Sequence, residues 1–157
     1  MNRRFYQERP DMNIDNTPIR DYGPEPLVVN LDAAARRNST FRTALWTGEH
    51  LQAVLMSIAI GDDVGLEIHP EVDQMLGIVQ GRGVARMGPG KDNLNITRQV
   101  TAGDAIFVPA GTWHDLVNTG GRALKLFTVY APPEHPRGTV QQAKAEAMAD
   151  TPSAPAG

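Results

Sequence analysis

The chain has 157 residues, a formal net charge of −3 and no cysteine. That length suits one compact domain with tails and is short for two domains of ordinary size. The mild acidity gives no basic footprint for nucleic acid or an anionic membrane, and the missing thiols exclude a disulfide framework, a thiolate metal site and a cysteine nucleophile. Any bound metal must be held by imidazole, carboxylate or amide groups.

Residues 1–24 are polar, carry Pro10, Pro18 and Pro24, and follow neither a helical nor a strand period. They read as an N-terminal arm, either loose or paired with a second subunit. Its charges are followed by no apolar run, so it is not a secretory signal. The longest apolar stretch, residues 51–60, is interrupted by Gln52 and Ser57 and is too short to cross a bilayer, so a cytoplasmic protein is expected.

Leu27, Val28 and Val29 suggest a short strand, and Asp32 an N-cap for a brief helical turn over 33–37. The β-branched and aromatic residues of 41–47 favour a strand, with a turn at Gly48 and Glu49 leading into a second strand over 51–60. Arg42, Ala44 and Trp46 then share one face. If it is the interior, Arg42 can meet an anionic ligand and Trp46 can wall a pocket; otherwise Trp46 packs in the core and Arg42 lies at a solvated edge.

In the following stretch Glu67 and His69 lie two apart in an extended run, which puts them on one face, and Gln74 comes after a short bend. Residues 80–83 read as a hairpin turn into a strand over 84–87, followed by an exposed loop around Lys91. The adjacent Asp62 and Asp63 do not make a calcium loop, and the glycines lack the helix that a phosphate loop needs. A second stretch, residues 103–118, contributes His114; a turn at 119–122 and a strand over 124–130 follow.

Pro132, Pro133 and Pro136 must leave the sheet. His135 among them either overhangs the site as an acid or base or is a plain surface histidine. Residues 141–149 are alanine-rich and helix-forming, and 151–157 form a low-complexity, disordered tail. Four potential ligands, Glu67, His69, Gln74 and His114, thus come from two segments of a chain of short strands and Gly/Pro turns. The simplest arrangement that unites them is an all-β barrel with a metal in its mouth.

The two stretches resemble the paired motifs of the cupin superfamily. The first follows G-x5-H-x-H-x4-E-x6-G in spacing at Gly61, Glu67, His69, Gln74 and Gly81; the second follows G-x5-P-x-G-x2-H-x3-N at Gly103, Pro109, Gly111, His114 and Asn118. The resemblance covers about the central two-thirds of the chain. It implies a double-stranded β-helix, or jelly-roll barrel, over 25–137, with short helical segments at both ends and residues 138–157 as helix and tail. Two positions depart from the pattern, Glu67 for the first histidine and Gln74 for the glutamate. The set keeps its single negative charge, while an amide oxygen replaces an imidazole nitrogen and favours oxygen-preferring ions.

Residues 41–136 also resemble small bacterial cupins of the mannose-6-phosphate-isomerase-like group, and two His, one Glu and one Gln match the ligand inventory of cupin phosphomannose isomerases. The resemblance implies a divalent ion, Zn, Mn, Fe or Ni, and a homodimer with a small-molecule ligand. The reading is a metal-dependent enzyme on a sugar, sugar phosphate, uronate or keto acid, with isomerase or epimerase chemistry favoured over a dioxygenase and Glu67 or His135 as the base. The alternative is a cupin that binds or senses a ligand without turning it over.

Overall fold

The structure, a computed structural model, describes residues 18–150. The tail at 151–157 and the first part of the expected arm lie outside them. The arm's last residues are not loose. Tyr22 donates its N–H to the Leu45 carbonyl at 2.8 Å, and the Asp21 carboxylate accepts from Thr47 N–H at 3.0 Å and Gly138 N–H at 3.0 Å. These contacts strap 18–25 along the first strand.

The short strand expected at 27–29 is irregular chain outside both sheets, with Val28 exposed. Helix α1, Leu31–Arg37, is capped by Asn30, whose side chain accepts from Ala33 N–H. Asp32 lies inside the first turn and pairs with Arg36 at 2.7 Å. The helix starts earlier than expected because Leu31 is drawn with Ala34 and Ala35 onto Leu45, Leu55 and Val79, which fixes the helix register.

Among the described residues nine strands follow: β1 Arg42–Thr47, β2 Gln52–Ile58, β3 Asp73–Gln80, β4 Arg82–Gly88, β5 Ile96–Thr101, β6 Ala105–Val108, β7 Trp113–Asn118, β8 Leu124–Ala131 and β9 Val140–Gln141, with helix α2 over Lys144–Asp150. They form a six-stranded sheet in the order β6-β3-β8-β2-β1-β9 and a three-stranded sheet in the order β5-β4-β7, antiparallel throughout. This is the expected all-β double-stranded β-helix.

Two local expectations fail for reasons of packing. Gly81 makes a corner rather than a hairpin, since β3 pairs with β6 and β8 whereas β4 pairs with β5 and β7. Its φ of +89° suits glycine, and a Cβ there would stand 3.1 Å from the Ala123 carbonyl oxygen. Gln141 lies in β9 rather than in the C-terminal helix, because the edge of β1 offers it a partner at Arg42.

The inward faces of the strands alternate with period two. Val54, Met56 and Ile58 of β2, Leu76 and Ile78 of β3, and Leu124 and Leu126 of β8 all belong to the main core. Asn118 ties the turns at this apolar end, its amide donating to the Ile58 and Arg122 carbonyls at 3.0 and 2.9 Å. Among the described residues no helix is long and apolar enough to cross a membrane.

Candidate metal centre

The two motif stretches meet because residues 63–69 run antiparallel to β7 as an irregular extra strand. Val64 N–H donates to Leu116 C=O, Glu67 and His114 exchange both backbone bonds at 3.0 and 2.9 Å, and Gly111 N–H reaches His69 C=O at 2.9 Å. Glu67, His69 and His114 each offer one ligand atom, all within 4.8 Å of one another.

The orientation of both imidazoles is fixed from behind. His114 Nδ1 faces the Thr112 carbonyl at 2.9 Å, and His69 Nδ1 faces the Glu134 carboxylate at 3.1 Å. A carbonyl or carboxylate can only accept, so each Nδ1 carries the proton and each Nε2 presents its lone pair. Glu67 Oε1 lies 3.3 Å from His69 Nε2 and 3.4 Å from His114 Nε2, yet all three atoms are buried without a hydrogen-bond partner.

With each Nδ1 proton committed behind, these three atoms need something positive between them, either a metal ion or, in the metal-free protein, a further proton on an imidazole. Ligands about 2.1 Å from a shared ion stand roughly 3.0 Å apart at octahedral angles and roughly 3.4 Å apart at tetrahedral ones, and the two separations from Glu67 Oε1 to the imidazole nitrogens, 3.3 and 3.4 Å, fall in that range. Gln74 has the same signature. Its amide nitrogen donates to Thr128 Oγ1 at 2.9 Å, which leaves Oε1 buried and unpartnered.

Burial alone would raise the Glu67 carboxyl, but the imidazoles of His114 and His69 outweigh it and hold the group down at about 2. Burial works against the charged form of His69, and Glu67 with Glu134 overcomes it, so in the metal-free protein this imidazole lies above its ordinary range. Behind His114 is a mostly apolar wall of Val64, Leu76, Met87, Ile106, Val108 and Leu116, with Asp115 as its one carboxylate. It keeps the electrostatics of the centre undiluted by water.

His135 is half-buried, with its Nε2 enclosed. Gln52, fully buried, accepts the Glu134 and His135 N–H groups at 3.2 and 3.0 Å and donates to the His135 carbonyl at 2.9 Å. The clamp sets the His135 ring edge-on against Tyr130, with centroids 5.1 Å apart, while Tyr130 meets His69 at 5.7 Å. His135 Nε2 is buried without a partner, and the buried Tyr130 OH has the Thr128 hydroxyl beside it. Burial, with Arg42 adding, brings His135 down to about 4; burial, with Glu67 adding, pushes the Tyr130 hydroxyl well above its ordinary value.

Arg42 lies on the interior face with Ala44, buried, its Nη1 donating to Gln141 Oε1 at 2.6 Å. Trp46 is engaged elsewhere: a bulge between Ala44 and Trp46 shifts the register, the indole N–H donates to the Glu25 carbonyl at 2.7 Å, and the ring covers Gly48. Sequence reasoning missed Glu134, Tyr130, Thr128 and Gln52. A signal was present for two of them, since Thr128 and Tyr130 continue the inward alternation of Leu124 and Leu126 and so put polar groups into the interior.

Two packed antiparallel sheets with ligands carried at one end define a double-stranded β-helix with a candidate metal centre. The chain belongs to the cupin family. The family model described as Cupin domain matches residues 54–130. The uncharacterized protein YrkC of Bacillus subtilis is 56% identical over 147 residues, 94% of this chain and 76% of that protein. The crystal structure of BH2720 from Bacillus halodurans superposes with a TM-score of 0.83 at 55% identity, covering 83% of this chain and 99% of that one. The uncharacterized protein L612 of Acanthamoeba polyphaga mimivirus is 39% identical over 114 residues, 72% of this chain and 69% of that protein.

Proposed function

We propose that this cupin is a metal-dependent enzyme that moves a proton on a small oxygen-rich molecule such as a sugar, sugar phosphate, uronate or keto acid. The supporting observation is the set of three inward acceptor atoms on Glu67, His69 and His114, with both imidazoles oriented from behind. These residues would hold a divalent ion, Zn, Mn, Fe or Ni, with the Gln74 amide oxygen as the fourth ligand. When bound, such an ion supplies Lewis acidity toward a carbonyl or hydroxyl oxygen.

The chain's own groups supply the proton chemistry. Glu67, held at about 2, is too weak a base and serves as a ligand. His135 is neutral at pH 7 with a free Nε2, and the Tyr130 hydroxyl beside it stays protonated. An acceptor and a donor next to the centre favour isomerase or epimerase chemistry, as in the mannose-6-phosphate-isomerase-like group, over a dioxygenase. The reading extends to a cytoplasmic homodimer, for which the exposed Phe107, in register with Met75 and Val129 on the outer sheet face, offers an apolar surface.

The test begins with elemental analysis of protein purified without a His tag. The loaded protein is then incubated in deuterium oxide with uronates, keto acids and sugar phosphates, and exchange at carbon is followed by NMR. Metal-dependent exchange that stops on chelation is expected. Protein without metal rejects the reading. Binding without exchange selects a non-catalytic binder, a second reading favoured by the enclosure of Tyr130 OH and His135 Nε2.

A further inference from the structure

Gln52 is fully buried at the start of β2, in register with Tyr130 near the end of β8. Both amide hydrogens and both lone pairs of its side chain are engaged. Nε2 donates to Thr47 Oγ1 at 3.0 Å and to the His135 carbonyl at 2.9 Å, while Oε1 accepts from the N–H groups of Glu134 and His135 at 3.2 and 3.0 Å. All but the bond to Thr47 go to the loop that follows β8.

That loop has little else to define it. Pro132 and Pro133 lack an N–H, so Glu134 and His135 carry the first two donors after the strand, and both go to this one oxygen. The clamp is itself anchored. Thr47 Oγ1 donates onward to Asp21 Oδ2 at 2.5 Å, and the same oxygen accepts from Gly138 N–H at 3.0 Å, near the far end of the loop. The connection from β8 to β9 is thus held in its middle by Gln52 and near its end by Asp21, with Thr47 joining the two anchors.

We infer that Gln52 is a positioning residue of the candidate centre: by fixing the backbone of Glu134 it aims the carboxylate that holds the proton on His69 Nδ1 and leaves Nε2 facing Glu67. The inference rests on the metal reading for what His69 then binds, and on the hydrogen bonds of the loop for how the ring is held. The Glu134 carboxylate meets His69 Nδ1 at 3.1 Å although its side chain is 32% exposed. A carboxylate lies several rotatable bonds from its own backbone, and a partly exposed ion pair is weak enough that holding the backbone decides whether it forms. Among the described residues neither Gln52 nor Thr47 hydrogen-bonds to Glu67, His69 or His114, so their effect on an ion there passes through Glu134.

The test is a double-mutant cycle read by Zn affinity in a chelator competition. Gln52→Met keeps the side chain's length and neutrality and removes its amide. It should weaken Zn binding by about tenfold, the lower end of what loss of a ligating histidine's outer partner gives. On a Glu134→Ala background the same change should alter affinity by less than about twofold, because the group it aims is gone. A merely structural Gln52 gives losses that multiply in the double variant; that result overturns the inference, as does unchanged affinity in Gln52→Met.

The metal-free protein gives an independent readout. Well above the imidazole range, the nitrogen NMR signal of His69 Nδ1 should move from the protonated position toward that of mixed tautomers in both Gln52→Met and Glu134→Ala; a signal that stays in place in Gln52→Met overturns the positioning role. Should Gln52→Met not fold, Thr47→Val, which cuts the hydroxyl link to Asp21, takes its place in the cycle. Its loss should be smaller and vanish on Glu134→Ala; no loss, or one that multiplies, overturns the inference. If the wild-type protein binds no Zn, the metal reading falls and the His69 signal decides whether Gln52 positions the ring.

Discussion

The two ends of this barrel are built from the same strands and do opposite things. Toward one end the inward positions are Ile58 and Met56 of β2, Ile78 of β3, Leu124 and Leu126 of β8 and Leu116 of β7. Toward the other they become Gln52, Gln74, Thr128, Tyr130 and His114, all buried. The ladder is continuous across the change, so backbone pairing does not distinguish the two ends. Only side-chain chemistry does. One end gains stability by removing apolar area from water; the other carries unsatisfied polar atoms, which cost stability and are tolerated where a ligand completes them.

The largest effect should separate the ends completely. His114→Ala removes an inward ligand but keeps its backbone bonds to Glu67, so bound metal should fall from about one equivalent to near zero while the fold survives. Elemental analysis with circular dichroism reads both; full occupancy would break the comparison. At the apolar end, Leu126→Ala should cost about 2–5 kcal/mol in urea denaturation and leave the metal content unchanged.

Glu134→Gln sharpens the contrast further. It removes the carboxylate that orients His69 without touching the core, and should weaken metal binding roughly 10–100-fold in a chelator competition. The same site sets a pH dependence. Raised His69 stabilises the metal-free fold below the ordinary imidazole range and loses that contribution as pH rises through its folded value, whereas metal needs the neutral ring. The gain in melting temperature on adding metal should therefore shrink as the pH is lowered through the raised value of His69, beginning above the ordinary imidazole range.

The smallest effect lies outside both ends. Burial, with Asp63 adding, raises Asp115 to about 6, so its favourable contribution is complete below the ordinary carboxylate range and lost as pH rises through that value. Asp115→Asn should raise stability above pH 6 by on the order of 1 kcal/mol and flatten the pH profile there. An unchanged slope in pH-dependent denaturation would show that the pair is already relaxed.

Much of the site was legible along the chain because its spacing is local. Glu67 and His69 are two apart in extended backbone, and the second stretch delivers His114 at a fixed distance from Gly111, which donates to His69 C=O. Glu134 and Gln52 were not legible. A glutamate beside prolines and a glutamine interrupting an apolar run have no periodic signature, and their partners lie 65 and 83 residues away in sequence, at His69 and His135. The Gly81 turn misled because a glycine at positive φ serves a hairpin and a sheet-to-sheet corner equally well.

By itself the sequence determined the strand content, the barrel and the residues that meet in the candidate centre, Glu67, His69 and His114, since alternation, turn residues and motif spacing act over a few positions. The tertiary structure alone decided that His135 Nε2 is enclosed, that Arg42 is buried against Gln141, that Trp46 is spent on the 18–25 strap and that His69 and His114 turn Nε2 toward Glu67. These depend on what packs against a group from distant strands, and burial and hydrogen-bond partnership are properties of that packing.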